Sequence, residues 1–294
     1  MALREGMFHL ISAPLLEFEA STSPPLCTVI TTNISANRCT TRRLALSKHH
    51  LPGPGTVIAA SFTSPLDPLY LAAIFRPVFT RSYPGIREVE QISLFSAILM
   101  ALAHPILTPP DSAKLVTLTE LGKKYPDSII AVFPECTTTN GRGILPCSPC
   151  LLSADPKTRI YPVNLRYTPA DITTPVPGGY FSWLWKLCSK PTHSMRVRIA
   201  ESVYNTAATV KGDPVGGSTG FDTNIFDSSN LKGVNAGDYE WDEEGAQLGK
   251  VNKAERKVLD RVGEDLARLG RVKRVGLGVK EKIEFVKVWT KRRR

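Results

Sequence analysis

The sequence predicts an α/β fold: a mixed central sheet with helices on both faces and basic helices appended at the C-terminus. Four apolar runs predict strands near residues 56–60, 129–133, 160–167 and 195–200, because β-branched residues dominate them and turn residues bound them. Stretches of helical spacing lie between and after these runs. The chain has 294 residues, 42% of them hydrophobic, which suits one large core or two small ones and excludes wholesale disorder.

Residues 1–50 predict a mobile arm. Met7 to Leu16 is apolar, but Glu17 and Glu19 follow at once without a cleavage site, which argues against a secretory signal. Residues 20–47 are rich in Ser, Thr and Asn. A domain then spans 51–204. The strand Thr56–Ala60 is followed by Ser61-Phe62-Thr63-Ser64-Pro65-Leu66-Asp67 and an apolar helix from Pro68 to Phe75. Thr63 or Ser64 is placed to cap that helix, and Pro65 suits its first turn. Ile92 to Leu107 is uncharged but too short for an ordinary membrane span. It reads as a buried core helix, or else as a helix dipping into a membrane interface.

The run Ile129-Ile130-Ala131-Val132 leads into Phe133-Pro134-Glu135-Cys136-Thr137-Thr138-Thr139-Asn140-Gly141-Arg142. This strand delivers a carboxylate, Glu135, at its C-terminal end, where open α/β sheets bind ligands. The hydroxyls of Thr137 and Thr138, the Asn140-Gly141 turn and the Arg142 guanidinium suit a phosphate. The next strand, Arg159 to Tyr167, alternates in character. Tyr180-Phe181-Ser182-Trp183-Leu184-Trp185-Lys186 packs four aromatics together and predicts contact with lipid at headgroup depth. Residues 205–249 are irregular and read as a linker or flap.

The stretch from Phe133 to Arg142 resembles the Phe-Pro-Glu-Gly-Thr block of the glycerolipid acyltransferases, and its continuation resembles the lysophospholipid branch. That resemblance implies a glycerol-3-phosphate acyltransferase-like fold and acyl transfer from acyl-CoA to a lysophospholipid hydroxyl, most simply of lysophosphatidic acid. It assigns Glu135 and Thr137 to the acceptor's phosphate, with Cys136 at the glycine position. Thr138 stands where an arginine often follows, so Arg142 is the candidate for that charge, beside Asn140 and Thr138. Residues 61–67 occupy the place of the family's Asn-His-x-Ser-x-x-Asp, which assigns Ser64 to the substrate and Asp67, with Glu135, to the catalytic centre. Arg159–Tyr167 is similar to the family's later strand along the pocket. The resemblance covers residues 56 to about 200. It implies acyl-CoA as co-substrate without a further cofactor, and a peripheral or membrane-associated protein on the cytosolic face of the endoplasmic reticulum or a lipid droplet.

The family's histidine takes the proton of the attacking hydroxyl, and here that position is Phe62. A phenyl ring cannot accept a proton. Three accounts stand open: a replacement base, binding of lipid or acyl-CoA without catalysis, or a sub-branch with an altered first block. His49, His50, His104 and His193 lie at no family spacing to an aspartate. No Gly-x-Ser-x-Gly elbow points to a hydrolase.

The net charge of +10 belongs to residues 250–294, which hold sixteen Lys and Arg against six Asp and Glu. Val251, Ala254, Val258, Val262, Leu266 and Leu269 fall at helical spacing, and a second helical part runs from Val279 to Arg294. A basic amphipathic tail suits an anionic membrane surface first and a helix packed on the domain second. Nothing supports nucleic-acid binding. Cys147-Ser148-Pro149-Cys150 is a lone pair of thiols, which predicts packing rather than metal.

Overall fold

The computed structural model describes residues 28–33, 51–190, 193–207 and 251–292. Its strands are β1 (Thr28–Asn33), β2 (Val57–Ala60), β3 (Val78–Ser82), β4 (Val89–Ile92), β5 (Leu115–Val116), β6 (Ile130–Val132), β7 (Gly143–Ile144), β8 (Arg159–Thr168), β9 (Ser194–Ile199), β10 (Val203–Tyr204) and β11 (Lys273–Arg274). The helices are α1 (Leu66–Phe75), α2 (Leu94–Leu102), α3 (Leu118–Lys124), α4 (Tyr180–Cys188), α5 (Lys253–Gly270) and α6 (Val279–Arg292). Nine strands form one mixed sheet in the order β1-β9-β8-β2-β6-β3-β4-β5, with β10 against β8, while β7 and β11 pair separately.

The four predicted strands are β2, β6, β8 and β9. Sequence reading passed over β3 and β4, whose polar and charged residues make a weaker pattern. Within the segment read as an arm, β1 pairs antiparallel with β9. The rest of 1–50, with His49 and His50, and residues 208–250 lie outside the described residues.

The centre of the sheet is parallel, β2 pairing with both β6 and β8. Parallel strands are covered on both faces, which is why β2 and β6 are apolar throughout. Val57 and Ala59 join one core with Val132 and the α5 residues Val258, Val262 and Leu266. Ile58 and Ala60 turn to the other face, with Phe133, Leu71 of α1, and Ala97 and Ala101 of α2. Strand side chains alternate between faces, so one strand serves both cores.

Two readings change here. The apolar stripe of α5 is taken up by the sheet and is not free for a membrane. Each such Val or Leu contributes about 1.5–3 kcal/mol when buried. Arg166 Nη1 and Arg198 Nη1 donate to the carbonyls of Gly270 and Leu269, at 2.8 and 2.5 Å, and so satisfy the α5 C-terminus. Helix α2 is no core helix either. It buries only Ala97 and Ala101, while Phe95 and Leu99 are 69% and 49% exposed. Small residues let the helix approach the domain, Leu94 and Met100 pack partly against it, and Phe95 and Leu99 face outward. Among the described residues no helix is long and apolar enough to cross a membrane.

Candidate active site

Parallel pairing of β2 with β6 sets the C-terminal ends of both strands side by side. The turn 61–65 leaves one end and the segment 133–142 leaves the other. Backbone bonds lace them together: Thr139 N–H donates to Phe62 O at 2.8 Å, and Phe62 N–H donates to Glu135 Oε1 at 3.4 Å.

Asp67 lies in the first turn of α1 and is fully buried. Its Oδ2 accepts from Thr63 N at 2.6 Å, Thr63 Oγ1 at 3.1 Å and Ser64 N at 2.9 Å. The phenol of Tyr167 on β8 donates to Oδ1. Burial raises the acid to about 6, against the pull of these donors. The cap differs from the sequence expectation. Pro65 is the N-cap and has no side-chain bond, and Asp67 reaches back to the preceding amides instead. Ser64 Oγ donates to Ile172 O at 2.8 Å, so this hydroxyl ties down the loop before α4.

Glu135 is 1% exposed. Its Oε2 accepts from Leu145 N at 3.1 Å. Burial pushes it up to about 8, the two amides at Leu145 and Phe62 lower it, and so does the ammonium of Lys282. Consecutive amides, those of Phe62 and Thr63, thus each hold one of the two carboxyl groups.

Thr137 and Thr138 are both 5% exposed. The cation brought to them is Lys282 of α6. Its Nζ donates to Thr137 Oγ1 at 2.7 Å, to Thr138 Oγ1 at 3.1 Å and to Thr138 O. Burial lowers Lys282 to about 8, opposed by Glu135. Arg142, by contrast, is exposed, and its amide donates to Asn140 Oδ1 at 3.0 Å in a local turn. Sequence reading missed Lys282 among many tail lysines. Its one signal is spacing: it stands three residues after Val279 and four before Val286, both buried, on the inward face of the helix.

The Phe62 ring is fully buried and stacks on Phe133 with centroids 4.4 Å apart. The two described histidines lie elsewhere: His104 is exposed after α2, and His193 Nε2 bonds Leu187 O at 2.8 Å. Cys136 has φ 57, the left-handed region that glycine adopts freely. The turn makes the conformational demand that a glycine meets freely. Burial raises the Cys136 thiol to about 11, so it is protonated at neutral pH and is no ready nucleophile. Cys147 and Cys150 are buried in the core on the α5 side.

A curated protein of Schizosaccharomyces pombe (strain 972 / ATCC 24843), named "Putative lysophosphatidic acid:oleoyl-CoA acyltransferase", is 29% identical over 124 residues, covering 42% of this chain and 41% of that relative. The chain is related to an acyltransferase. No family model matches it, and no solved structure does. Asp67 and Glu135 stand in the segments that leave the adjacent ends of β2 and β6 in this mixed α/β sheet.

Proposed function

We propose that this chain transfers an acyl group from acyl-CoA to a lysophospholipid hydroxyl, most simply converting lysophosphatidic acid to phosphatidic acid. The acceptor oxygen forms the ester bond, the thioester C–S bond breaks, and the hydroxyl proton leaves with the CoA thiol. One observation carries the reading. Asp67 and Glu135, 68 positions apart by numbering, are gripped by adjacent amides of one turn. Thr137, Thr138 and Ser64 flank them, with Asn140 and Arg142 at the outer end of the block. The distant relative's name supports the acyl-transfer class.

The same reading seats the protein on a membrane surface through Phe95 and Leu99 of α2 and Phe181 and Trp185 of α4, all exposed. The two helices adjoin, since Tyr180 Oη donates to Leu102 O at 3.0 Å. Apolar and aromatic side chains so arranged favour the headgroup boundary.

A second reading has a specific observation behind it: a phenyl ring is packed into the core at the position of the family's base. On that reading the chain binds lipid or acyl-CoA without turning it over. The deciding experiment is transfer of labelled oleoyl groups to lysophosphatidic acid by purified protein, with Glu135→Ala as control. Transfer abolished by Glu135→Ala supports the enzyme. Transfer that survives it shows the site is elsewhere. No transfer by the parent with transfer by Phe62→His supports the lost-base reading.

A further inference from the structure

Resting on that acyl-transfer reading, we propose that Lys282 is the anion-binding cation of the site and holds the acceptor's phosphate together with the Thr137 hydroxyl. The first support is chemical. Thr137 Oγ1 accepts from the Lys282 ammonium, and among the described residues its own proton goes to no protein acceptor. A hydroxyl whose oxygen accepts from a cation is a stronger donor in turn. Ammonium and hydroxyl therefore converge at one point, an arrangement suited to a tetrahedral oxyanion. The Thr138 hydroxyl is already spent on Thr174 O at 2.7 Å, so the longest lysine bond, to Thr138 Oγ1, is the one a phosphate oxygen replaces with least loss.

The second support is that the placement is built by the fold. Parallel strands β7 and β11 tie the segment after Glu135 to the start of the C-terminal helix, and Val275 N–H extends the ladder to Ile144 O at 2.9 Å. Gly143 admits this approach, because a Cβ there would meet Val275 Cγ2 at 2.6 Å. Glu281 Oε2 accepts from Gly278 N at 2.6 Å and starts α6. Val279 and Val286 then anchor the face that carries Lys282. A buried ammonium is costly unless a negative group answers it. Glu135, raised to about 8, is such a group only once it ionises, whereas a bound phosphate is already charged at neutral pH.

The third support is the exposed position of Arg142, which carries its guanidinium outside the threonine cluster. The phosphate end of the site takes its positive charge from the far end of the chain.

The test uses the full chain with Lys282→Met and Lys282→Arg. KM is measured for lysophosphatidic acid and for a monoacylglycerol, which offers the hydroxyl without the phosphate. Thermal protection by glycerol 3-phosphate is measured in parallel. Lys282→Met is expected to raise the KM for lysophosphatidic acid at least tenfold more than that for the monoacylglycerol, and to lose the protection, with Lys282→Arg retaining most of both. Equal changes for the two acceptors, or none, overturn the assignment of Lys282. Should Lys282→Met fold poorly, Lys282→Gln takes its place. A parent protein that shows protection but no transfer sinks the enzyme reading alone and leaves the anion site standing if Lys282→Met abolishes the protection. A parent with neither sinks both.

Discussion

Tyr167 of β8 donates its phenolic proton to Oδ1 of Asp67 across 2.5 Å, while Thr63 and Ser64 occupy Oδ2. The aspartate is thereby fixed on both oxygens. It acts in this fold as the clamp of the first turn of α1. Tyr167 is itself held by the β8–β9 ladder through its pairing with Met195.

Removing that phenol should leave a buried carboxyl oxygen short of a donor. Tyr167→Phe is expected to destabilise the protein by about 1–3 kcal/mol. Urea unfolding at neutral pH measures it. A change near zero would mean that the bond contributes no net stability.

Stability should fall as the solution becomes more basic. Glu135 is raised from 4.5 to about 8, so between those values the folded chain keeps a proton that the unfolded chain has lost. Its contribution is complete below the lower value and is lost as pH rises through the upper one. Asp67, raised from 3.8 to about 6, acts in the same direction. Lys282, lowered from 10.5 to about 8, acts oppositely, its contribution being lost as pH falls through the lower value. The unfolding free energy read from urea titrations should therefore drop between about pH 5 and 8, by up to about 1.4 kcal/mol per pH unit for each of the two carboxyl groups, and Glu135→Gln should flatten the slope. A midpoint rising over that range would place an ionised Glu135 beside Lys282.

At Cys136 the backbone is left-handed, with φ 57. A side chain there costs about 1–2 kcal/mol relative to the right-handed form, and glycine escapes the penalty. Against this stands the loss of the thiol's bond to Ser82 Oγ at 3.4 Å. Cys136→Gly should raise stability by about 0.5–1 kcal/mol, read from thermal unfolding. The thiol, raised to about 11, should also be alkylated more slowly at neutral pH than exposed Cys188, as peptide mapping would show.

The aromatic helix α4 divides its roles. Trp183 donates its indole N–H to Ile172 O at 2.9 Å and packs on the core, whereas Phe181 and Trp185 are 90% and 76% exposed. Phe181→Ser with Trp185→Ser should reduce co-sedimentation with anionic liposomes severalfold and leave the unfolding midpoint nearly unchanged. Trp183→Ser should instead lower the midpoint. Undiminished liposome binding by the double variant would remove α4 from the membrane contact.

Local pattern made several things legible. The strands β2, β6, β8 and β9 were readable because β-branched runs bounded by turn residues are a short-range signal. The blocks around Asp67 and Glu135 were legible because each sits in one continuous stretch. The residues of α5 showed their helical period too, but period alone cannot say whether a sheet or a membrane covers the apolar stripe.

What the chain order by itself determined was therefore the two carboxyl-bearing turns, the strands that end in them and the basic, helical character of the last segment. Tertiary structure decided that those turns lie side by side, because parallel pairing of β2 with β6 is a contact between distant residues. It also decided that Lys282, not Arg142, meets Thr137 and Thr138. Which lysine of many reaches a buried hydroxyl depends on how α6 docks, and docking is set by packing across the whole domain, not by neighbours in sequence.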